Sequence, residues 1–519
     1  MSRPGSQHLC VVGSADFLRR MSAQLRQDNP VTERFKPSVS FSNPAEARSV
    51  IFAERPSVLV VDIGHKTSTD DLAWLRTLLG QVRERFKEEI YTILAITTPE
   101  KLAFGGMLLF ADESSEEPSQ LIDNLIISPP PSVPSIMTLE EQFIDCLDYA
   151  IEEMLRRASG QTPLPPLWSQ GWVPSMCDPE SRNVWMRWLP RYAMYINENP
   201  IIVGPTGSGK TRLARAIHKL SLRPGPFVSI TPRDFSSTEL VQAELFGSVA
   251  GAYTGAVEKW GLVKKAEQGT LFIDELQSID RDLQGKLITF IENKSYRRVG
   301  EADSHTADVR FVFATNRSLQ DLVADGSLRD DFAYRLERLQ ISLMPLHNRR
   351  LDISAGVAFA LARVLREREI VRARFDKQGE RTGRSSVEGL TNEAYSALFS
   401  SSWPGNLRQV ENSVAKLIEL ADMRSLRLID SECTGGTINS MLGASSASAA
   451  DVFERASIDV ALTATTSGFH SLSDCMFSLA DSARAQALEL SGGNPDQAAA
   501  LINDSPQAMK LFCASRLAR

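Results

Sequence analysis

The chain predicts a multi-domain α/β protein with helical blocks in its second half. Three observations carry that reading. Short apolar runs alternate with amphipathic stretches between residues 8 and 157, and the alternation resumes between about 181 and 345. From 350 to 425 only helical patterns occur. A length of 519 residues exceeds what one hydrophobic core organises, so several domains are expected.

In the first block, HLCVVG, SVSF, PSVLVVDIG, YTILAITT and NLIIS read as five short strands. Helical patterns fall over 15–28, near 44–53, over 69–86 and over 138–157, with a less regular stretch before NLIIS. Strands alternating with helices imply a parallel sheet covered by helices. Residues 1–157 thus form one domain, and the Pro, Ser and Gly of 158–180 read as a linker. In the second block, ENPIIVG, PFVSI, GTLFIDE, VRFVFATN and RLQISL are the strand candidates of an α/β domain over 181–345. A helical lid over 346–433 follows, then a Gly/Ser/Ala-rich linker over 434–450 and a helical domain over 451–519.

Composition excludes more than it identifies. With 43% hydrophobic and 23% charged residues the chain has ordinary globular statistics, and a net charge of −7 provides no global attraction to nucleic acid. Any DNA contact must come from a local patch. The six cysteines show no C-x-x-C pair and no His at zinc-finger spacing, so they read as reduced, mostly buried thiols. No secretory leader pattern and no run of eighteen apolar residues occurs, which predicts a cytoplasmic chain without a membrane partner.

The strongest motif is IIVGPTGSGKT, an apolar strand running through Gly204, Pro205, Thr206, Gly207, Ser208, Gly209, Lys210 and Thr211 into the helix RLARAIHKL. Glycines let the backbone curl so that its N–H groups and the helix N-terminus face phosphates. Lys210 reaches the β and γ phosphates, and the Thr211 hydroxyl ligates Mg²⁺. GTLFIDE supplies the partner: Asp274 completes the Mg²⁺ shell and Glu275 polarises the attacking water of ATP hydrolysis. Alone, an Asp-Glu pair after a buried strand could equally cap a helix. At the end of VRFVFATN, Thr315 or Asn316 is placed to sit between the two motifs and sense the γ-phosphate, although a Thr-Asn strand end is also an ordinary turn entry.

Residues 244–256, ELFGSVAGAYTGA, resemble the substrate-contacting loop of sigma-54-dependent transcription activators, the bacterial enhancer-binding proteins of the AAA+ class. The family signature GAFTGA stands here as Gly251, Ala252, Tyr253, Thr254, Gly255 and Ala256. The resemblance covers roughly 195–425, and its motifs agree in order and spacing. It implies that Arg329 and Arg335 in GSLRDDFAYRL are arginine fingers reaching a neighbouring subunit's nucleotide. It also implies that Arg408 in WPGNLRQVEN is the lid residue called sensor II. Thr231 stands where the family usually has the Asn that switches the catalytic glutamate, Ser248-Val249 replace the common His-Glu, and Lys264 replaces an acid.

The N-terminal alternation resembles a response-regulator receiver domain with Asp62 at the phosphoacceptor position. Gly13-Ser14 stand where an acidic pair would hold Mg²⁺, and Ser128 where a Lys would neutralise the phosphate, so phosphotransfer is not expected. A ligand-sensing α/β domain is the other reading of 1–157, since GPTGSGKT also resembles the RNA-repair regulator subgroup, whose sensor binds nucleotides. The C-terminal ALELSGGNPDQAAALINDSPQAMKLFCASRLAR resembles a Fis-type helix-turn-helix, with the Ala498-Ala499 pair allowing close packing. Gln507, Lys510 and Arg516 would face enhancer DNA, against a degenerate dimerisation module as the alternative. Together the resemblances imply a hexameric or heptameric ring that hydrolyses ATP to remodel the sigma-54 RNA polymerase holoenzyme. The competing readings are an AAA+ remodeller or chaperone of another protein, and a nucleotide-gated scaffold.

Overall fold

The computed structural model describes residues 7–27, 29–35, 39–43, 46–64, 69–86, 89–109, 121–131, 137–158, 177–376, 387–435 and 480–488, with 495, 499, 502 and 509. The chain divides into two compact units, Met1–Thr434 and Gly435–Arg519.

The first unit begins with β1 (Leu9–Val12), α1 (Ala15–Leu25), α2 (Pro30–Glu33), β2 (Val39–Ser42), α3 (Ala47–Glu54) and β3 (Val58–Ile63). It continues with α4 (Thr69–Phe86), β4 (Tyr91–Ile96), α5 (Leu102–Leu109), β5 (Asn124–Ile127) and α6 (Leu139–Ala158). All neighbouring strands are parallel in the order β2-β1-β3-β4-β5, the doubly wound arrangement the apolar runs imply. Every residue of β3 and β4 is buried, as a strand covered on both faces requires. Ser14 caps α1 by accepting from the Phe17 N–H, and Phe17, Met21 and Leu25 recur at helical spacing to bury one stripe on the sheet. Phe143, Leu147 and Ile151 of α6 close the same core.

The second part of this unit has α7 (Pro179–Arg182), α8 (Leu189–Met194), β6 (Ile201–Val203), α9 (Lys210–Leu220), β7 (Phe227–Ile230) and α10 (Thr238–Phe246). A short antiparallel pair, β8 (Gly247–Ser248) and β9 (Lys259–Trp260), precedes α11 (Leu262–Lys265), β10 (Thr270–Ile273) and α12 (Arg281–Asn293). A second such pair, β11 (Ser295–Tyr296) and β12 (His305–Thr306), leads to β13 (Arg310–Thr315), α13 (Leu319–Ala324), α14 (Asp330–Glu337) and β14 (Gln340–Ser342). The five long-range strands form a parallel sheet in the order β14-β6-β13-β10-β7. β13 therefore lies between β6 and β10, and the loops after all three emerge at one edge.

The lid comprises α15 (Leu351–Asp376), α16 (Asn392–Ser400) and α17 (Asn406–Met423). It is not purely helical: β15 (Gly389–Leu390) and β16 (Leu428–Ile429) pair in parallel, each too short to leave a periodic apolar signal. Two stretches differ from their sequence reading. The irregular segment before β5 contains helix α5, whose Gly105-Gly106 pair weakens the helical pattern. Residues 177–180, read as linker, are packed: Cys177 is 1% exposed and Asp178 caps α7 through its side chain.

In the second unit, residues 480–488 are helical, and Ala483, Ala487, Ala499, Ile502 and Met509 share a small apolar core. The expected DNA-facing Gln507, Lys510 and Arg516 lie outside the described residues. Cys10, Cys146, Cys177 and Cys433 are free and buried, matching the reduced-thiol reading for those four.

Candidate nucleotide site

β6 ends in Val203, and the chain then curls through Gly204–Gly209 before α9 begins at Lys210. This loop forms one wall of a cleft lined by Thr206, Gly207, Gly209, Lys210, Thr211, Arg212, Asp274, Glu275, Asn316, Leu407, Arg408 and Glu411. The loop, Asp274-Glu275 and Asn316 converge because β6, β13 and β10 are neighbours and deliver their C-terminal ends together, and α17 of the lid brings Leu407, Arg408 and Glu411 to the same cleft. Gly204 N–H donates to the Thr315 carbonyl at 3.1 Å, which locks the loop to the end of β13.

The charges of the cleft are arranged against each other. Burial lowers the Lys210 ammonium from its usual range and Arg408 adds to that, while Asp274 and Glu275 push it back up. Lys210 Nζ donates to the Gly204 and Pro205 carbonyls at 2.9 and 3.2 Å. Asp274 accepts from the Glu275 N–H at 2.9 Å, and Glu275 adopts φ 55°, a left-handed conformation that costs an ordinary residue on the order of 1 kcal/mol. Arg233 Nη1 lies 3.6 Å from the Glu275 carboxylate, and Thr231 contributes no hydrogen bond to it. Arg233, three-quarters exposed, is a neighbour that the sequence reading missed although it sits in the same PFVSITPRD run.

The two candidate sensors separate cleanly. Thr315 is fully buried, with its hydroxyl donating to Gln277 at 3.0 Å, so it serves the strand end. Asn316 is exposed on the cleft. Arg408 reaches the cleft from the first turn of α17. Thr211 and Asp274 both present oxygen donors there, the hard ligands that a Mg²⁺ ion takes, so the donor set fits the metal.

The lid grips the outer side of the phosphate loop, a feature no motif announced. Asn406 Nδ2 donates to the Thr206 carbonyl at 2.9 Å, and Leu407 N–H donates to the Gly207 carbonyl at 3.1 Å. A Cβ on Gly207, itself at φ 77°, would lie 2.3 Å from the Gly405 carbonyl, so only glycine admits this approach. Glu411 holds Arg212 of α9 on one side and Arg363 of α15 at 3.0 Å on the other.

Arg329 and Arg335 stand away from this cleft. Arg329 is paired with Asp331 at 2.7 Å and Arg335 with Glu292, and both side chains are about two-fifths exposed. Exposed, salt-bridged guanidinium groups are available to a neighbour at small cost, because such surface pairs are worth under ~1 kcal/mol.

Gly251–Ala256 form the tip of the β8–β9 hairpin, with Gly251 and Gly255 both left-handed and Thr254 exposed. Ala256 N–H donates to the Tyr253 carbonyl at 2.9 Å, closing the turn. The departures from the family pattern are absorbed at its base: buried Ser248 donates to the Val257 carbonyl at 2.8 Å, and Val249 N–H bonds the Val299 carbonyl at 3.1 Å. Lys264 pairs with Glu267 at 3.4 Å on the surface.

Asp62 occupies the corresponding strand end of the N-terminal sheet. Its carboxylate accepts from Ser14 Oγ at 3.0 Å and N–H at 3.2 Å, and from Thr97 Oγ1 at 2.9 Å. Burial pushes this carboxyl above its usual range in spite of those donors. The Ser128 carbonyl accepts from the Tyr395 hydroxyl of the lid at 3.1 Å. Among the described residues no group of three or more His, Cys, Asp or Glu side chains is arranged to hold a metal by itself, and no helix is long and apolar enough to cross a membrane.

Residues 186–342 match the family described as "Sigma-54 interaction domain". Over 220 residues the chain is 41% identical to the alginate biosynthesis transcriptional regulatory protein AlgB of Pseudomonas aeruginosa, covering 42% of this chain and 45% of that one. It is 36% identical over 233 residues to the regulatory protein LuxO of Vibrio cholerae, covering 44% and 47%. A Nif-specific regulatory protein of Herbaspirillum seropedicae is 37% identical over 218 residues, covering 42% and 37%. The matched segment spans under half the length of each of these relatives. A solved structure of NtrX from Brucella abortus in complex with ADP aligns over 98% of this chain and 99% of its own, at 19% identity and a TM-score of 0.43.

Proposed function

We propose that this chain, whose central domain belongs to the sigma-54 interaction family, is a transcription activator that hydrolyses ATP to remodel a closed promoter complex. The observation that carries the ATPase reading is the convergence of Lys210, Thr211, Asp274, Glu275, Asn316 and Arg408 on one cleft. Loop N–H groups and Lys210 bind the phosphates, Thr211 and Asp274 hold Mg²⁺, and Glu275 orients the attacking water. Mg²⁺, when bound, neutralises charge developing between the β and γ phosphates.

Arg329 and Arg335 complete the site from a neighbouring subunit. Each lies outside its own chain's cleft, exposed, and paired only to surface acids. A ring is the assembly in which every cleft receives such a neighbour, and six or seven subunits is the size the resemblance implies. Hydrolysis then moves the Gly251–Ala256 tip against sigma-54, with exposed Thr254 as the contact.

The C-terminal unit binds enhancer DNA through Gln507, Lys510 and Arg516. Its apolar nucleus of Ala483, Ala487, Ala499, Ile502 and Met509 is the packing expected of a small helical module. A salt-titrated gel shift checks this, since a negligible salt slope removes phosphate contact from the scheme.

The functional test is promoter melting by sigma-54 holoenzyme with the full chain and ATP. Melting that requires hydrolysable ATP supports the reading. ATP turnover without melting at any sigma-54 promoter supports a remodeller of another protein instead.

A further inference from the structure

We propose that Arg349 is a positioning residue for the phosphate loop, and that the N-terminal domain reaches it through one buried polar chain. The inference rests on the reading that this loop binds ATP. Arg349, 3% exposed, donates from Nη2 to the Ser208 carbonyl at 2.9 Å and from Nε to the Met344 carbonyl at 3.0 Å. A trans peptide is planar, so the Ser208 C=O and the Gly209 N–H point in opposite directions. Holding the oxygen from behind aims the Gly209 N–H into the cleft that Gly209 lines. Asn406 does the same for Gly207 through the Thr206 carbonyl.

Arg349 is itself held. Its Nη1 lies 3.3 Å from Asp352 Oδ2, and Asp352, with no exposure, also accepts from the Asp178 N–H at 3.0 Å and from the Ser181 hydroxyl. Asp178 and Ser181 belong to the α7 turn, whose last residue, Arg182, is fully buried. Arg182 Nη2 donates to the Leu125 carbonyl of β5 at 3.2 Å, and Nη1 pairs with Asp145 of α6 at 2.5 Å. The path therefore runs from β5 and α6 through Arg182, the α7 turn, Asp352 and Arg349 to Ser208. Arg182, Asp352 and Arg349 are buried, where an unpaired group is expensive and moving one partner obliges the next to follow, while Asp145 at the α6 end is a quarter exposed.

The same domain also docks on the lid by close contact of α5 with α15. A Cβ on Gly106 would lie 2.2 Å from the Ala358 carbonyl and 2.8 Å from the Ala362 Cβ. A Gly106→Leu substitution pushes this dock apart at a distance from the cleft.

The test measures affinity of the full chain for a fluorescent methylanthraniloyl-ATP, with KM and kcat of ATP turnover alongside. Arg349→Lys keeps the charge and loses the planar fork that serves four acceptors, the Ser208 and Met344 carbonyls, Asp352 and the Ser181 hydroxyl. It raises Kd and KM about tenfold, the loss of one charge-assisted hydrogen bond, with kcat within about twofold. Asp352→Asn raises them about threefold and Gly106→Leu about fivefold, a modest interdomain coupling. If Arg349→Lys unfolds the chain, Asp352→Asn decides the positioning role. Folded Arg349→Lys or Asp352→Asn variants with wild-type Kd overturn that role. A Gly106→Leu variant with wild-type Kd overturns the link to the N-terminal domain. A wild-type chain that does not bind the analogue overturns the ATP reading itself, whereas one that binds and responds as stated but melts no promoter leaves this inference standing and refutes only the activator reading.

Discussion

Both large sheets of the first unit end a central strand in aspartate, Asp62 on β3 and Asp274 beyond β10, and the two carboxylates have different neighbours. Asp62 is surrounded by the hydroxyls of Ser14 and Thr97, with Gly13 packed so closely that a Cβ there would meet the Asp62 Cβ at 2.6 Å. Asp274 shares its cleft with Lys210, Thr211, Glu275 and Arg408. The two parallel frames are alike, and the chemistry resides in the loops at their strand ends. Asp62 is a buried, hydrogen-bonded carboxyl on which Arg20 also acts, and we propose that it is not a phosphoryl-transfer site.

The largest effects test the motor half. Arg335→Ala or Arg329→Ala should lower ATP turnover on the order of 10³-fold while nucleotide binding persists, because a finger in trans acts on the transition state. Wild-type turnover in both would remove the trans assignment. Glu275→Gln should cost on the order of 10² to 10³ in kcat with binding retained, and Lys210→Ala should lose binding as well. Normal turnover in either would break the site.

A smaller effect tests the seam between the halves. Burial pushes the Asp352 carboxyl up to about 7, against Arg349, which holds it down, with Asp178 adding to the rise. An unfolded aspartate titrates near ~3.9, so between ~4 and about 7 the folded chain binds the additional proton. Its contribution to stability is greatest below ~pH 4 and is lost as pH rises through about 7. Asp352→Asn should flatten that part of a denaturation profile, by up to about 1.4 kcal/mol per pH unit. An unchanged slope would contradict the assigned burial.

The smallest effect tests the N-terminal half. Asp62→Asn should leave ATP turnover within about twofold, and acetyl phosphate should leave no stable label on the wild-type chain. Labelling at Asp62 would erase the contrast between the sheets.

Legibility followed sequence distance. The phosphate loop, Asp274-Glu275 and the Gly251–Ala256 tip were readable because each is a contiguous run whose local chemistry is distinctive. Asn316 was separable from Thr315 only once β13 was seen to bury one and expose the other. The grip of Asn406, Leu407 and Arg349 on the loop was not readable, since it joins carbonyls to donors 141 to 200 positions away. α5 was hidden by Gly105-Gly106, residues that weaken a helix pattern for a tertiary reason, the close approach of Gly105 to Ile96 and of Gly106 to Ala358. Arg233 carries no signal in the sequence, because its ion pair with Glu275 depends on where the short turn after β7 points.

The central claim is that ATP turnover is delivered to sigma-54 through the hairpin tip. Open-complex formation by sigma-54 holoenzyme, measured with wild type and Thr254→Ala at equal ATPase rates, tests it most directly. The account predicts that Thr254→Ala hydrolyses ATP and fails to melt the promoter. Melting at the wild-type level by that variant would contradict it.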